Sequence, residues 1–91
     1  MPVATTPQRT DAVYLHPDDN ICVAARNLSA GDSLEIAGIS VKLSEPVHLG
    51  HKIAVRPIAK GDKVYKYGQI IGAATQTIKT GDHVHSHNLH Q

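Results

Sequence analysis

Gly81-Asp82-His83-Val84-His85-Ser86-His87-Asn88 is the last instance of a pattern that runs through most of this 91-residue chain. An apolar residue is followed three positions later by a Gly-centred corner, and three positions after that by a second apolar residue. The corners are Gly31-Asp32, Gly50-His51, Gly61-Asp62 and Gly81-Asp82; Leu28, Val47, Ile58 and Ile78 precede them, and Leu34, Ile53, Val64 and Val84 follow. Glycine supplies the positive φ of a sharp turn between strands, and an adjacent aspartate can bond back to the turn's amides. Gly31 and Gly38 fall on Gly61 and Gly68 at an offset of 30, and Gly50 falls on Gly81 at 31. The spacing predicts one supersecondary unit of about thirty residues used twice, with one inserted position, each copy too small to bury its own apolar face.

Composition agrees with a chain of short strands. Phe and Trp are absent and the aromatic rings are Tyr14, Tyr65 and Tyr67, so Val, Ile, Leu and Ala must build the core. A net charge of +1 with scattered Lys and Arg argues against a nucleic-acid partner. One cysteine, Cys22, excludes an internal disulfide, suits a reducing cytoplasm and reads as a buried structural thiol. No apolar run approaches a membrane span. A domain this small buries only about 60 to 65% of its unfolded surface, so a deep catalytic pocket would have to be shared with a partner.

Along the chain, residues 1–10 read as a flexible leader and 11–91 as one domain. Ala12-Val13-Tyr14-Leu15 is a strand closed by His16-Pro17. Asp18-Asp19-Asn20 offers N-cap groups to Ile21-Cys22-Val23-Ala24-Ala25-Arg26-Asn27, which predicts one short helix near residues 19–27. The remainder is short strands and hairpins.

Departures of one copy from the other mark candidate chemistry. His51 stands where the other corners carry Asp, and Lys66-Tyr67-Gly68 replaces Ile36-Ala37-Gly38. A strand over 82–87 would place His83, His85 and His87 on one face and anchor Val84 on the other. The plain alternative is a solvated terminal strand. His16, His51, Lys52, Lys66, Tyr67, His85, His87 and Asn88 together offer metal ligands, proton carriers, anion partners and orienting groups. No nucleophile with a base at diagnostic spacing, phosphate loop or Cys/His zinc pattern accompanies them, so no self-sufficient enzyme is visible.

Four ordered blocks carry a resemblance: His16-Pro17-Asp18-Asp19-Asn20; Gly50-His51-Lys52-Ile53-Ala54; Lys66-Tyr67-Gly68 with Ile71-Gly72; and Gly81 to Asn88. The chain from about His16 to Leu89 resembles the SAF domain of the altronate and galactarate dehydratases. The resemblance implies a mainly β, β-clip fold of short bent strands and hairpins. It also implies a much larger catalytic domain or subunit acting on a hydroxy acid, with this chain as its small subunit or N-terminal module. A similar small subunit belongs to sulfolactate sulfo-lyase, which eliminates sulfite rather than water.

Elimination β to a carboxylate needs a divalent ion or cationic groups to stabilise the enediolate, and an acid for the departing hydroxide. On this reading His51, Lys66 and Tyr67 are catalytic candidates, and Lys52 and Asn88 substrate-binding ones. His85, His87 and His16 are metal candidates, for Fe²⁺ or else Mn²⁺ or Zn²⁺, with Asp18 or Asp19 as the nearby carboxylates and the large subunit as a further source of ligands. A homo-oligomer is also compatible. The competing reading is a free-standing module that binds a metal or a carbohydrate.

Overall fold

Among the described residues all strand pairings are antiparallel, and no strand exceeds six residues. The computed structural model describes residues 11–91, so the expected leader lies outside the described residues. The strands are β1 (Ala12–Val13), β2 (Ile21–Ala24), β3 (Ser33–Ile36), β4 (Ile39–Lys42), β5 (Lys52–Ala54), β6 (Lys63–Lys66), β7 (Gln69–Ala74), β8 (His83–Val84) and β9 (Leu89–His90). They form a four-stranded sheet in the order β1-β2-β5-β8, the hairpin β3-β4, and a three-stranded sheet β6-β7-β9.

The mainly β expectation holds, but the short helix does not form. Ile21-Cys22-Val23-Ala24 is β2, pairing with β1 on one side and β5 on the other. A continuous apolar run has the same pattern in a buried helix as in a strand buried on both faces, and here tertiary pairing decides. Cys22 and Ala24 enter one core, with Leu34, Val41, Val47 and Ile53. Ile21 and the partly buried Val23 enter the other, with Ala54, Ile58, Val64, Ile78 and Val84. The sheet thus divides two cores, one belonging chiefly to each copy. Tyr14 and Leu15, expected in the first strand, leave it after Val13, and the Tyr14 hydroxyl donates to the Pro17 carbonyl at 3.1 Å.

The duplication appears in the backbone bonding. Leu28 bridges Val47, and Ile58 bridges Ile78. Gly31 N–H donates to Leu43 O, and Gly61 N–H to Ala74 O; Gly50 N–H donates to Ala24 O, and Gly81 N–H to Ala54 O. All eight apolar residues flanking the corners are buried. The inserted position is also located. β3 and β4 pair in unbroken register from Ser33↔Lys42 to Ile36↔Ile39, whereas β6 and β7 pair Val64↔Gly72 and then Tyr65↔Ile70. Ile71 is the extra residue, accommodated as a β-bulge.

Candidate functional site

The site is assembled where β5 and β8 run side by side. His51 immediately precedes β5, in the corner position that elsewhere holds Asp, and β5 pairs with β8 through Lys52↔Val84 and Ile53↔His83. At two of the other corners the carboxylate bonds back to its own turn, Asp32 to the Ser29 amide and Asp82 to the Lys79 amide, both at 2.9 Å. His51 is turned instead toward β8, and its Nδ1 lies 2.8 Å from Nε2 of His83.

β8 ends at Val84, so the expected strand over 82–87 is two residues long. The chain bends at His85 and turns through Ser86, His87 and Asn88. Asn88 imposes this turn. Its side-chain oxygen accepts from His85 N–H and its amide nitrogen donates to His83 O, both at 2.9 Å. Its side chain is buried and both polar atoms are engaged, which places Asn88 beneath the histidines as their brace.

The turn stacks the rings. His51 and His85 lie 4.6 Å apart between centroids at an interplanar angle of 12°, and His51 and His83 lie 5.0 Å apart at 17°. His87 tilts against His83 at 5.4 Å, and His48 meets His51 edge-on at 5.7 Å. One ligand atom from each of His51, His83 and His85 falls within 4.8 Å of the others. His16 stands outside this group. Its Nδ1 accepts from Asp18 N–H at 3.1 Å, and its ring packs over Gly68 at the β6-β7 turn.

Electrostatics favours neutral imidazoles. Burial, then the neighbouring His85, His48 and Lys52, hold His51 below the ordinary imidazole range. Burial also lowers His83, opposed by the Glu45 carboxylate and reinforced by His51, His87 and His85. Glu45 Oε1 is 3.9 Å from His83 Nδ1. The carboxylate beside the cluster is therefore Glu45. Asp18 faces His16 at 3.8 Å, and the buried Asp19 is bonded to the Tyr67 and Gly68 amides.

Lys52 lies partly buried on β5, its ammonium pushed down by burial and by the charge of Lys66. With His85, Ser86, Leu89, His90 and Gln91 it lines an open groove of ≈ 390 Å³. Lys66 extends over the Tyr67 ring, 5.0 Å from its centroid. Tyr67 is half-exposed at the tip of the β6-β7 hairpin. The arrangement offers neutral nitrogen donors and an anion-attracting groove on one open edge. Sequence reasoning put His83 on the histidine face without giving it a role in the site, and it left out His48 and Glu45. The corner alignment that marked His51 carried a signal for His83, because β5 and β8 are equivalent strands of the two copies. Glu45 carried none.

The chain is thus a small, strand-built domain that carries a cluster of imidazoles on one open edge. The chain is a member of the altronate/galactarate dehydratase SAF domain family, whose model matches residues 10–91. It is 42% identical over 76 residues to altronate dehydratase of Escherichia coli (strain K12) and 38% identical over 76 residues to that of Bacillus subtilis (strain 168). Each match covers 84% of this chain but 15% of the relative's length. The chain is also 37% identical over 51 residues to the alpha subunit of (2R)-sulfolactate sulfo-lyase from Chromohalobacter salexigens, covering 56% of this chain and 54% of that subunit. Among the described residues no helix is long and apolar enough to cross a membrane.

Proposed function

We propose that this chain is the SAF module of a hydroxy-acid lyase of the altronate dehydratase type, and that it contributes its histidine edge to a site completed by a much larger catalytic domain or subunit. The observation that carries this reading is the convergence of His51, His83 and His85 at an edge that the module leaves open, with His85 also lining the groove that holds Lys52. An elimination needs a base for the proton next to the carboxylate, an acid for the leaving hydroxide, and cationic groups for the charge that develops between. A neutral imidazole serves the first role, and the imidazolium formed when it takes up that proton serves the second by returning it to the leaving hydroxide. Lys52, with Lys66 close enough to lower it, serves the third by holding a substrate carboxylate in the groove. The edge is too shallow to exclude water, so the partner must cover it.

A divalent cation, where one is bound, would supply Lewis-acid stabilisation of the enediolate. Tyr67 and Lys66, at the exposed tip of β6-β7, would meet the covering partner or the far end of the substrate. A second reading is favoured by the match to the sulfo-lyase alpha subunit: the same edge would serve an elimination whose leaving group is sulfite.

The test is co-purification with the large dehydratase part, followed by an elimination assay on hexonates, hexarates and sulfolactate. The chain alone should give no turnover, the complex should turn over one class, and His51→Ala should abolish that activity while leaving the complex intact. Turnover by the chain alone, or an unaffected His51→Ala complex, would overturn the reading.

A further inference from the structure

We propose that His51 Nδ1, His83 Nε2 and one nitrogen of His85 form a three-imidazole site for a divalent d-block cation, with Glu45 as the carboxylate that orients His83 and with a further coordination position left open. The proposal deepens the functional reading, on which its biological use rests: with the cation bound, the three imidazoles act as its ligands and the base and acid come from the covering partner, while binding itself is a property of this chain.

His51 Nδ1 and His83 Nε2 already face each other at 2.8 Å with a single proton between two lone pairs. A cation replaces that proton. Tetrahedral coordination with metal–nitrogen bonds of about 2.0–2.1 Å places ligand nitrogens about 3.3–3.4 Å apart. The His51–His83 pair must open by roughly half an ångström to reach that spacing. The third nitrogen, within 4.8 Å, must approach. His85 can make that approach because it is exposed and lies in the bend after β8, free of strand pairing. Its ring now stacks on His51 at 12° and must rotate to aim its lone pair at the ion.

Ligation through Nε2 leaves the His83 Nδ1–H for Glu45, whose Oε1 lies 3.9 Å away and must close by about an ångström to accept it. A carboxylate on the far nitrogen of a ligating histidine fixes the tautomer and strengthens the ligand. Asn88 holds the backbones of His83 and His85 at their separation, so part of the ordering is done before the ion arrives. Imidazole donors suit Zn²⁺, Fe²⁺, Co²⁺ and Ni²⁺ and discriminate against Mg²⁺ and Ca²⁺, which take oxygen ligands. Three protein ligands with an open fourth position are the arrangement of a reactive rather than a closed structural site.

The experiment is calorimetric titration of the full chain with Zn²⁺ at neutral pH, alongside the visible absorption of Co²⁺, whose intensity reports tetrahedral coordination. One site per chain is expected. His51→Ala, His83→Ala and His85→Ala should each weaken it at least tenfold, and Glu45→Gln by about tenfold. His16→Ala, removing a histidine outside the cluster, should leave it unchanged. Circular dichroism of each variant separates lost binding from lost fold. Absence of saturable binding up to about 1 mM Zn²⁺, or binding that survives in folded His83→Ala and His85→Ala, would overturn the proposal. The elimination assay does not enter this measurement, so failure here leaves the functional reading to its own test.

Discussion

Asp19 holds the tip of a hairpin 48 residues away. Its carboxylate accepts from Tyr67 N–H at 2.9 Å and from Gly68 N–H at 2.8 Å, the two residues whose positive φ makes the tight turn between β6 and β7. Asn20 continues the attachment, accepting from Tyr65 N–H and donating to Lys63 O. Arg56 secures the loop from below by donating to Asp19 O at 2.6 Å. Residues whose sequence suits a helix cap are thus used to cap a β-turn.

Replacing Asp19 with Ala would leave both partly buried turn amides without their acceptor. Each orphaned donor costs about 1–3 kcal/mol. Asp19→Ala should therefore destabilise the domain by about 2–4 kcal/mol in urea denaturation, and Asp19→Asn, which keeps one acceptor, by less. A loss below about 0.5 kcal/mol, the range of ordinary surface substitutions, would show that the turn stands without the anchor.

The four corners share a backbone conformation but not an environment. Gly31 has φ 86° with nothing near the position of an added Cβ. Gly81 has φ 92°, and a Cβ there would strike the Lys42 carbonyl oxygen. Gly31→Ala should cost only the left-handed penalty of about 1–2 kcal/mol, whereas Gly81→Ala must also displace backbone at the joint between the two copies. We expect Gly81→Ala to lower the melting temperature markedly more than Gly31→Ala. Equal effects would mean that the joint yields without cost.

Much of this architecture is legible in the sequence because it is repeated. The corner spacing identifies eight buried residues and the equivalence of β5 and β8, and the one-residue discrepancy between copies corresponds to the bulge at Ile71. The helix expected from 19 to 27 shows the limit of local reading. Asp19 and Asn20 have their partners at positions 63 to 68, and β2 is buried on both faces by strands distant in sequence. The histidine cluster is legible only in part for the same reason. His51 is marked by its departure from the repeat, but Glu45 reaches His83 only through the pairing of β5 with β8, and Asn88 reads as a ligand-facing amide until the turn it braces is seen.

Cys22 tests the double-sided burial of β2. Its thiol is pushed up to about 12 by burial, so at pH 8 the thiolate fraction is on the order of 10⁻⁴. An aromatic disulfide reagent should label it negligibly in the native protein and stoichiometrically once the chain is unfolded in guanidinium. Native labelling at the unfolded rate would place Cys22 outside the core and undo the two-core description.

The lowered imidazoles give the metal-free protein a pH-dependent stability whose sign is fixed. His51 and His83 have folded values below the ordinary 6.5, so on acidification the unfolded chain takes up protons at these positions first. Stability is fully present above about 6.5 and is lost as pH falls through the folded values. The urea midpoint should therefore drop between pH 7 and pH 5, and the drop should be smaller in His83→Gln, which cannot take up that proton in either state. Glu45 raises His83 against the effect of burial, so Glu45→Gln should move the His83 titration, followed by its ring proton resonances, further toward acid. A midpoint that rises on acidification, or a His83 titration that moves toward alkali in Glu45→Gln, would contradict the charge arrangement from which the whole edge is read.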